Sequence, residues 1–405
     1  MSQTAASNNT IRSFTPPNRI LLGPGPSELH PRAMAALGQP VVGYMDPSFV
    51  QMMDEIKVLM RYAFQTENAL TFPASGPGSV GMETCFVNLV EPGDKVVVCR
   101  NGVFGGRMID NVERCGGVPV VLEQTWGQAV DPNALEDLLK QHPDAKIVAF
   151  VHAETSTGAQ SDAKTLCEVA RRHNCLTIVD CVTSLGGTPV LVDQWGADAV
   201  YSGSQKCLSC TPGLAPLTFS ERAVEHVRAR KKKGQSWFMD LTLVLEYWGA
   251  TQRTYHHTAP GNSLYALHET LLLLREEGLE NAWARHHNNH MALRAGLETF
   301  GLNYVVPEAA RLPQVNSVWV PEGIDELALR RRLLLEFNLE IGAGLGPLAG
   351  KIWRIGLMGY SCRPENVLAC LSALGTAMAD LGLPADSVAA QAAAQAVYSQ
   401  LKIAA

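Results

Sequence analysis

The sequence predicts an α/β protein with a mostly parallel central sheet in a large domain and a smaller α+β domain at the C-terminal end. Three observations carry this. Five short runs are almost wholly apolar rather than alternating, as in strands buried on both faces of a parallel sheet. Amphipathic helical stretches separate them, giving strand–helix–strand order. Beyond about residue 278 that alternation stops.

The elements follow in order. Residues 1–18, rich in Ser, Thr, Asn and Pro, read as an exposed arm. The large domain is expected over 19–278. Its strands are Lys95 to Cys99 (KVVVC), Val118 to Leu122 (VPVVL), Lys146 to Val151 (KIVAFV), Leu176 to Asp180 (LTIVD) and Ala197 to Ser202 (ADAVYS). Asp162 to His173 has an acidic start and a basic end, the polarity a helix dipole favours. The smaller domain is expected over 279–384. It opens on helical text, with strands at Val315 to Val320, Glu340 to Ala343 and Ile352 to Ile355 and a last helix near Pro364. The Ala- and Gln-rich segment 385–405 reads as a helical tail.

Composition narrows the function. The chain has 405 residues, 46% hydrophobic and 18% charged, enough to build a core and far from a disordered composition. A net charge of −6 gives no mark of a nucleic-acid partner. The basic run Arg228 to Lys233 reads as a solvated helix face. No apolar run approaches the roughly 18 residues of a membrane span. The polar opening MSQTAASNNT lacks a secretory apolar core, so a cytoplasmic protein is expected. Ten cysteines are too dilute for a disulfide scaffold. Cys207 and Cys210 make one CxxC, without the second pair a structural zinc site needs; no metal is expected.

Three features then converge on one sheet edge. Ser75-Gly76-Pro77-Gly78-Ser79 feeds a helix. Its unpaired N–H groups at the positive end of the dipole would hold an anion, most simply a phosphate. Asp180 ends the strand LTIVD, at the edge where parallel sheets bind ligands. Lys206, in SGSQK directly after the strand ADAVYS, shares that edge one strand on. A lysine among apolar walls can lose its proton and attack carbonyls. Phosphate cradle, carboxylate and lysine together describe a pyridoxal 5'-phosphate site. Arg354, in KIWRIG, adds a planar fork suited to an α-carboxylate.

With these residues in place, the chain resembles class V aminotransferases of pyridoxal-phosphate fold type I, above all the alanine–glyoxylate and serine–glyoxylate enzymes. The matching stretches run from LLGPGP (Leu21 to Pro26) through HAETSTG (His152 to Gly158), VTSLGGTPV (Val182 to Val190), YSGSQK (Tyr201 to Lys206) and YHHTAP (Tyr255 to Pro260) to GKIWRIGLMG (Gly350 to Gly359). The resemblance implies an aminotransferase passing an amino group from a small amino acid to glyoxylate. It implies Lys206 as the Schiff-base lysine and Asp180 as the pyridinium partner. Pro77, Gly78, Ser79, Gln205 and Ser156 fall at cofactor-contacting positions. Tyr255 and Thr258 would reach the phosphate of a neighbouring subunit, which implies a homodimer with shared active sites. Arg354 would take the substrate carboxylate, with Gly25 and Tyr44 on segments lining the entrance. Phe104 stands where the family stacks a tryptophan, and Ser79 where it has a histidine. A second resemblance, carried by GKIWRIG, MGYSCR and the Ala-rich tail, is to the ureidoglycine–glyoxylate aminotransferases. That branch places amides where this chain has Tyr44 and Tyr255.

Overall fold

The computed structural model describes residues 12–249 and 253–404, the side chains of 402–404 excepted. Most of the expected arm therefore lies outside the described residues; its last part, 12–18, is exposed.

The strands are β1 (Ile20–Leu22), β2 (Leu70–Ser75), β3 (Lys95–Arg100), β4 (Val118–Glu123), β5 (Ala145–Val151), β6 (Ala153–Glu154), β7 (Ala159–Gln160), β8 (Leu176–Asp180), β9 (Ala199–Tyr201), β10 (Leu214–Phe219), β11 (Val315–Trp319), β12 (Leu339–Ala343) and β13 (Ile352–Gly356). Seven of them form the large sheet, in the order β2-β10-β9-β8-β5-β3-β4. Within it only β10 runs antiparallel, to β2 on one side and β9 on the other. All five apolar runs are strands of this sheet. The segments LTFPAS and LAPLTF complete it, with Pro73 and Pro216 opposite each other in register.

Helices pack on the sheet because their starts are capped and their apolar faces match it. Asp162 accepts from the Thr165 N–H and opens the helix Ala163–Arg172; Asp46 does the same for Pro47–Phe64 through the Ser48 N–H. Phe49, Phe64, Phe72, Phe86, Phe150 and Phe219 are among the fully buried side chains of this core. Each such burial contributes about 1.5–3 kcal/mol.

The second sheet has the order β1-β12-β13-β11. Its first member comes from the N-terminal part of the chain: Ile20–Leu22 pairs in parallel with Leu339–Ile341. A separate core around Leu297, Phe300, Trp353 and Leu371 fills it. The tail is helical over Ser387–Ala404 and packs on the helix Leu279–Thr299. No described helix is long and apolar enough to cross a membrane.

Candidate active site

The parallel strands β8 and β9 end together, and Asp180 pairs in register with Tyr201. Side chains at paired positions share a face, so the Tyr201 hydroxyl reaches Asp180 Oδ2 at 2.7 Å. Asp180 Oδ1 accepts from the Val182 N–H at 2.8 Å. The carboxyl is buried, and burial raises its pKa from 3.8 to about 7 against the pull of these two donors.

After β9 the chain turns sharply before returning as β10. Ser202 N–H donates to the Pro216 carbonyl and Ser204 N–H to that of Leu214. Ser27 clips the next residues: its N–H donates to the Gln205 carbonyl and its hydroxyl to that of Lys206, both at 2.9 Å. Lys206 is thereby fixed at the sheet edge. Burial lowers its pKa from 10.5 to about 8, and Nζ donates to the Pro24 carbonyl. Gly25 lies against it at φ +105°, and an added Cβ would meet Lys206 Cδ at 2.7 Å. Only glycine leaves the lysine its space there.

The glycine turn at 75–79 opens the helix Gly78–Leu89, whose first turn no side chain caps. Pro77, Gly78, Ser79, Phe104, Asp180, Gln205 and Lys206 line one cavity of about 210 Å³. Met82, Arg107, Val151, Thr155, Val182 and Tyr201 complete its wall. The Gln205 Oε1 is buried without a partner among the described residues.

Arg354 sits in β13, 6% exposed. Nε donates to the Ala343 carbonyl at 2.6 Å and Nη1 to that of Thr155 at 2.9 Å. No carboxylate pairs with it among the described residues, and burial lowers its pKa to about 10. The charge of Glu154 opposes that fall without bonding the guanidinium, and a ligand carboxylate would give it a bonded anion.

Other expected residues stand apart. The Ser156 hydroxyl donates to Glu154 at 2.6 Å and accepts from the Val103 N–H at 3.0 Å, and Ser156 does not line the cavity. Tyr44 and Tyr255 stack on each other with ring centres 5.0 Å apart. The Tyr255 hydroxyl bonds the Thr258 hydroxyl at 3.0 Å, and none of the three lines the cavity. Cys207 and Cys210 are buried free thiols, each raised to about 12 by burial. Among the described residues no cluster could hold a metal ion.

Sequence reasoning missed Glu154, Tyr201 and Thr155. Glu154 is fully buried, and burial raises its pKa. It lies just beyond the end of β5, as Asp180 closes β8, and that shared edge position was the available signal.

The residues present fit pyridoxal phosphate. The uncapped helix start at Gly78 offers its N–H groups to an anion. A partly deprotonated lysine and a carboxyl needing a cation lie on the same wall. Sheet and site together define a pyridoxal-phosphate-dependent enzyme of fold type I. Residues 34–348 match the family model for class-V aminotransferases, and the chain belongs to that family. An alanine–glyoxylate aminotransferase of Callithrix jacchus is 41% identical over 371 residues, 91% of this chain and 89% of that protein. The crystal structure of a ureidoglycine–glyoxylate aminotransferase from Bacillus subtilis is 40% identical, with a TM-score of 0.94 over 96% of this chain and 100% of that one. An alanine–glyoxylate aminotransferase structure from Nostoc sp. is 44% identical, with a TM-score of 0.90 over 93% and 100%.

Proposed function

We propose that the protein is a pyridoxal-phosphate-dependent transaminase that moves an amino group from a small amino acid, alanine or serine, to glyoxylate, giving glycine. Arg354 carries this reading: a buried guanidinium with no bonded carboxylate, outside the lining of the cavity of about 210 Å³ but bonded to the backbone of Thr155, which does line it, suits the carboxylate of a short substrate. The relatives named for alanine and glyoxylate support it.

Pyridoxal phosphate held here would supply an electron sink for the pair left at the donor's α-carbon and a carrier for its amino group. The chain's residues do the rest. The N–H groups of Gly78 and Ser79 and the Gln205 amide hold the phosphate. Asp180, oriented by Val182 and Tyr201, supplies the negative charge that keeps the ring nitrogen protonated. Phe104 walls the ring from water. Lys206, half deprotonated near pH 8, moves a proton at Nζ. Arg354 grips the carboxylate of donor and acceptor alike, and that orientation favours transfer over side reactions.

The working unit in this proposal is a cytoplasmic homodimer, in which Tyr44, Tyr255 and Thr258 complete the partner's site. Tyr255 is 49% exposed in the single chain and stacks on Tyr44, in whose segment Val41, Val42 and Met45 are exposed. Ten free cysteines fit a reducing compartment.

A second reading takes (S)-ureidoglycine as the donor. The TM-score of 0.94 to the Bacillus subtilis enzyme favours it. One experiment separates the two. The loaded enzyme is mixed with L-alanine, L-serine, L-aspartate or freshly generated ureidoglycine, and the absorbance of the bound cofactor is followed. Bleaching by alanine or serine, restored by glyoxylate, supports the first reading. Bleaching by ureidoglycine alone replaces it with the second.

A further inference from the structure

The buried carboxylate of Glu154 has no cationic side chain bonded to it among the described residues, yet four donors converge on it. Oε1 accepts from the Ser156 N–H at 3.0 Å and hydroxyl at 2.6 Å. Oε2 accepts from the Phe104 N–H at 3.2 Å and the Gly105 N–H at 3.4 Å. Those last two open the helix Val103–Arg114, which has Gly102 at its start and no side-chain cap of its own from that residue. Glu154 therefore supplies the anion that the helix start lacks, from another element. The approach is close enough that a Cβ on Gly102 would collide with the Glu154 carboxylate and come 2.5 Å from Ser156 Oγ. One residue further on, the Thr155 carbonyl holds Arg354 Nη1 at 2.9 Å.

Three consecutive residues thus tie the cavity's aromatic wall to the Arg354 guanidinium, which lies outside the cavity's lining. We propose that Glu154 is a positioning residue. It locks the Phe104 wall to the Thr155 carbonyl that anchors Arg354, so that ring wall and carboxylate grip keep one spacing. Glu154 touches neither substrate nor cofactor; it acts through its neighbours. The inference rests on the pyridoxal-phosphate reading above.

The test is Glu154→Gln, which keeps the shape but turns an N–H₂ toward donors on one side. Two measurements are made against wild type. Cofactor-free protein is titrated with pyridoxal phosphate and followed by tryptophan fluorescence, and steady-state kinetics are run with each substrate. The expected result is a cofactor dissociation constant and KM values for donor and glyoxylate that each rise about tenfold, the loss of about one hydrogen bond to a charged acceptor. The expected change in kcat is less than about threefold, because no reacting atom is touched. A folded Gln variant with wild-type dissociation constant and KM overturns the proposal. So does a fall confined to kcat. If the Gln variant does not fold, Ser156→Ala removes one donor from the same clamp; KM must rise with kcat nearly held, and unchanged KM overturns the proposal. A wild-type protein that binds no pyridoxal phosphate fails the underlying reading instead, and the titration shows this before any variant is compared.

Discussion

Replacing Asp180 with Asn should make the cofactor-free protein more stable while nearly silencing it. The Asp180 carboxyl is buried, with its pKa raised from 3.8 to about 7, first by burial. A raised pKa means that the folded state holds the proton more tightly than the unfolded state. Its stability contribution is full below about pH 4 and is lost as pH rises to about 7. Each tenfold in proton affinity corresponds to about 1.4 kcal/mol, so the buried charge costs about 4 kcal/mol at pH 8. Asparagine carries no charge there but offers one acceptor oxygen where Val182 and Tyr201 find two, a loss of about 1 kcal/mol. The net gain at pH 8 is about 3 kcal/mol, and at pH 5 the two terms nearly cancel. At roughly 1–2 °C per kcal/mol for a chain of this length, the melting temperature of the cofactor-free variant should rise by about 3–6 °C at pH 8 and hardly change at pH 5. Calorimetry of both proteins across that range checks the first part. Transamination by the loaded variant should fall roughly a hundredfold or more, as when a charge aimed at the reacting system is removed. A variant that melts lower than wild type at pH 8, or whose offset is the same at every pH, refutes the burial reasoning. Unchanged turnover removes Asp180 from its electrostatic role.

Three further outcomes are expected. Arg354→Lys keeps a charge but loses the fork, so KM for both the amino donor and glyoxylate should rise about 10–100-fold with the fold intact by circular dichroism; a change for one substrate only would mean the two carboxylates are held differently. The rate at which cofactor-free protein takes up pyridoxal phosphate should rise with pH and level off above about 8, because the neutral Lys206 amine is the nucleophile and burial lowers its pKa to that value; stopped-flow absorbance reads the profile, and a rate that falls with pH would contradict it. Gly25→Ala places a methyl at φ +105° against the Lys206 side chain and should cut turnover at least about tenfold through strain and displaced lysine; wild-type turnover would show that the lysine does not need that space.

The sheet was legible where strands are continuous apolar runs, because burial on both faces leaves no polar position to confuse the reading. KVVVC, KIVAFV and LTIVD became β3, β5 and β8 with at most a residue added at an end. It was illegible in LTFPAS and LAPLTF, where a proline removes a ladder donor and normally argues against a strand. These two strands carry their prolines opposite each other in register, a pairing that no local signal announces. The short segment Ile20–Leu22 was hidden for another reason: its partner, Leu339–Ile341, lies more than three hundred residues away. The same distinction governs the site. Lys206 and Asp180 follow from strand ends on one sheet edge, a rule that needs only sequence order. Glu154 obeys that rule beyond β5 but lies among threonines and serines that read as a turn. What sets it apart is its set of bonds to Phe104, Gly105 and Ser156, two of them some fifty positions upstream. Tyr201 was quoted within a strand, yet its hydroxyl bond to Asp180 depends on the cross-strand register of β8 and β9. A side chain that acts through its own position on an element can be read from the chain; one that acts through a register or a clamp between elements becomes visible only when the fold has closed.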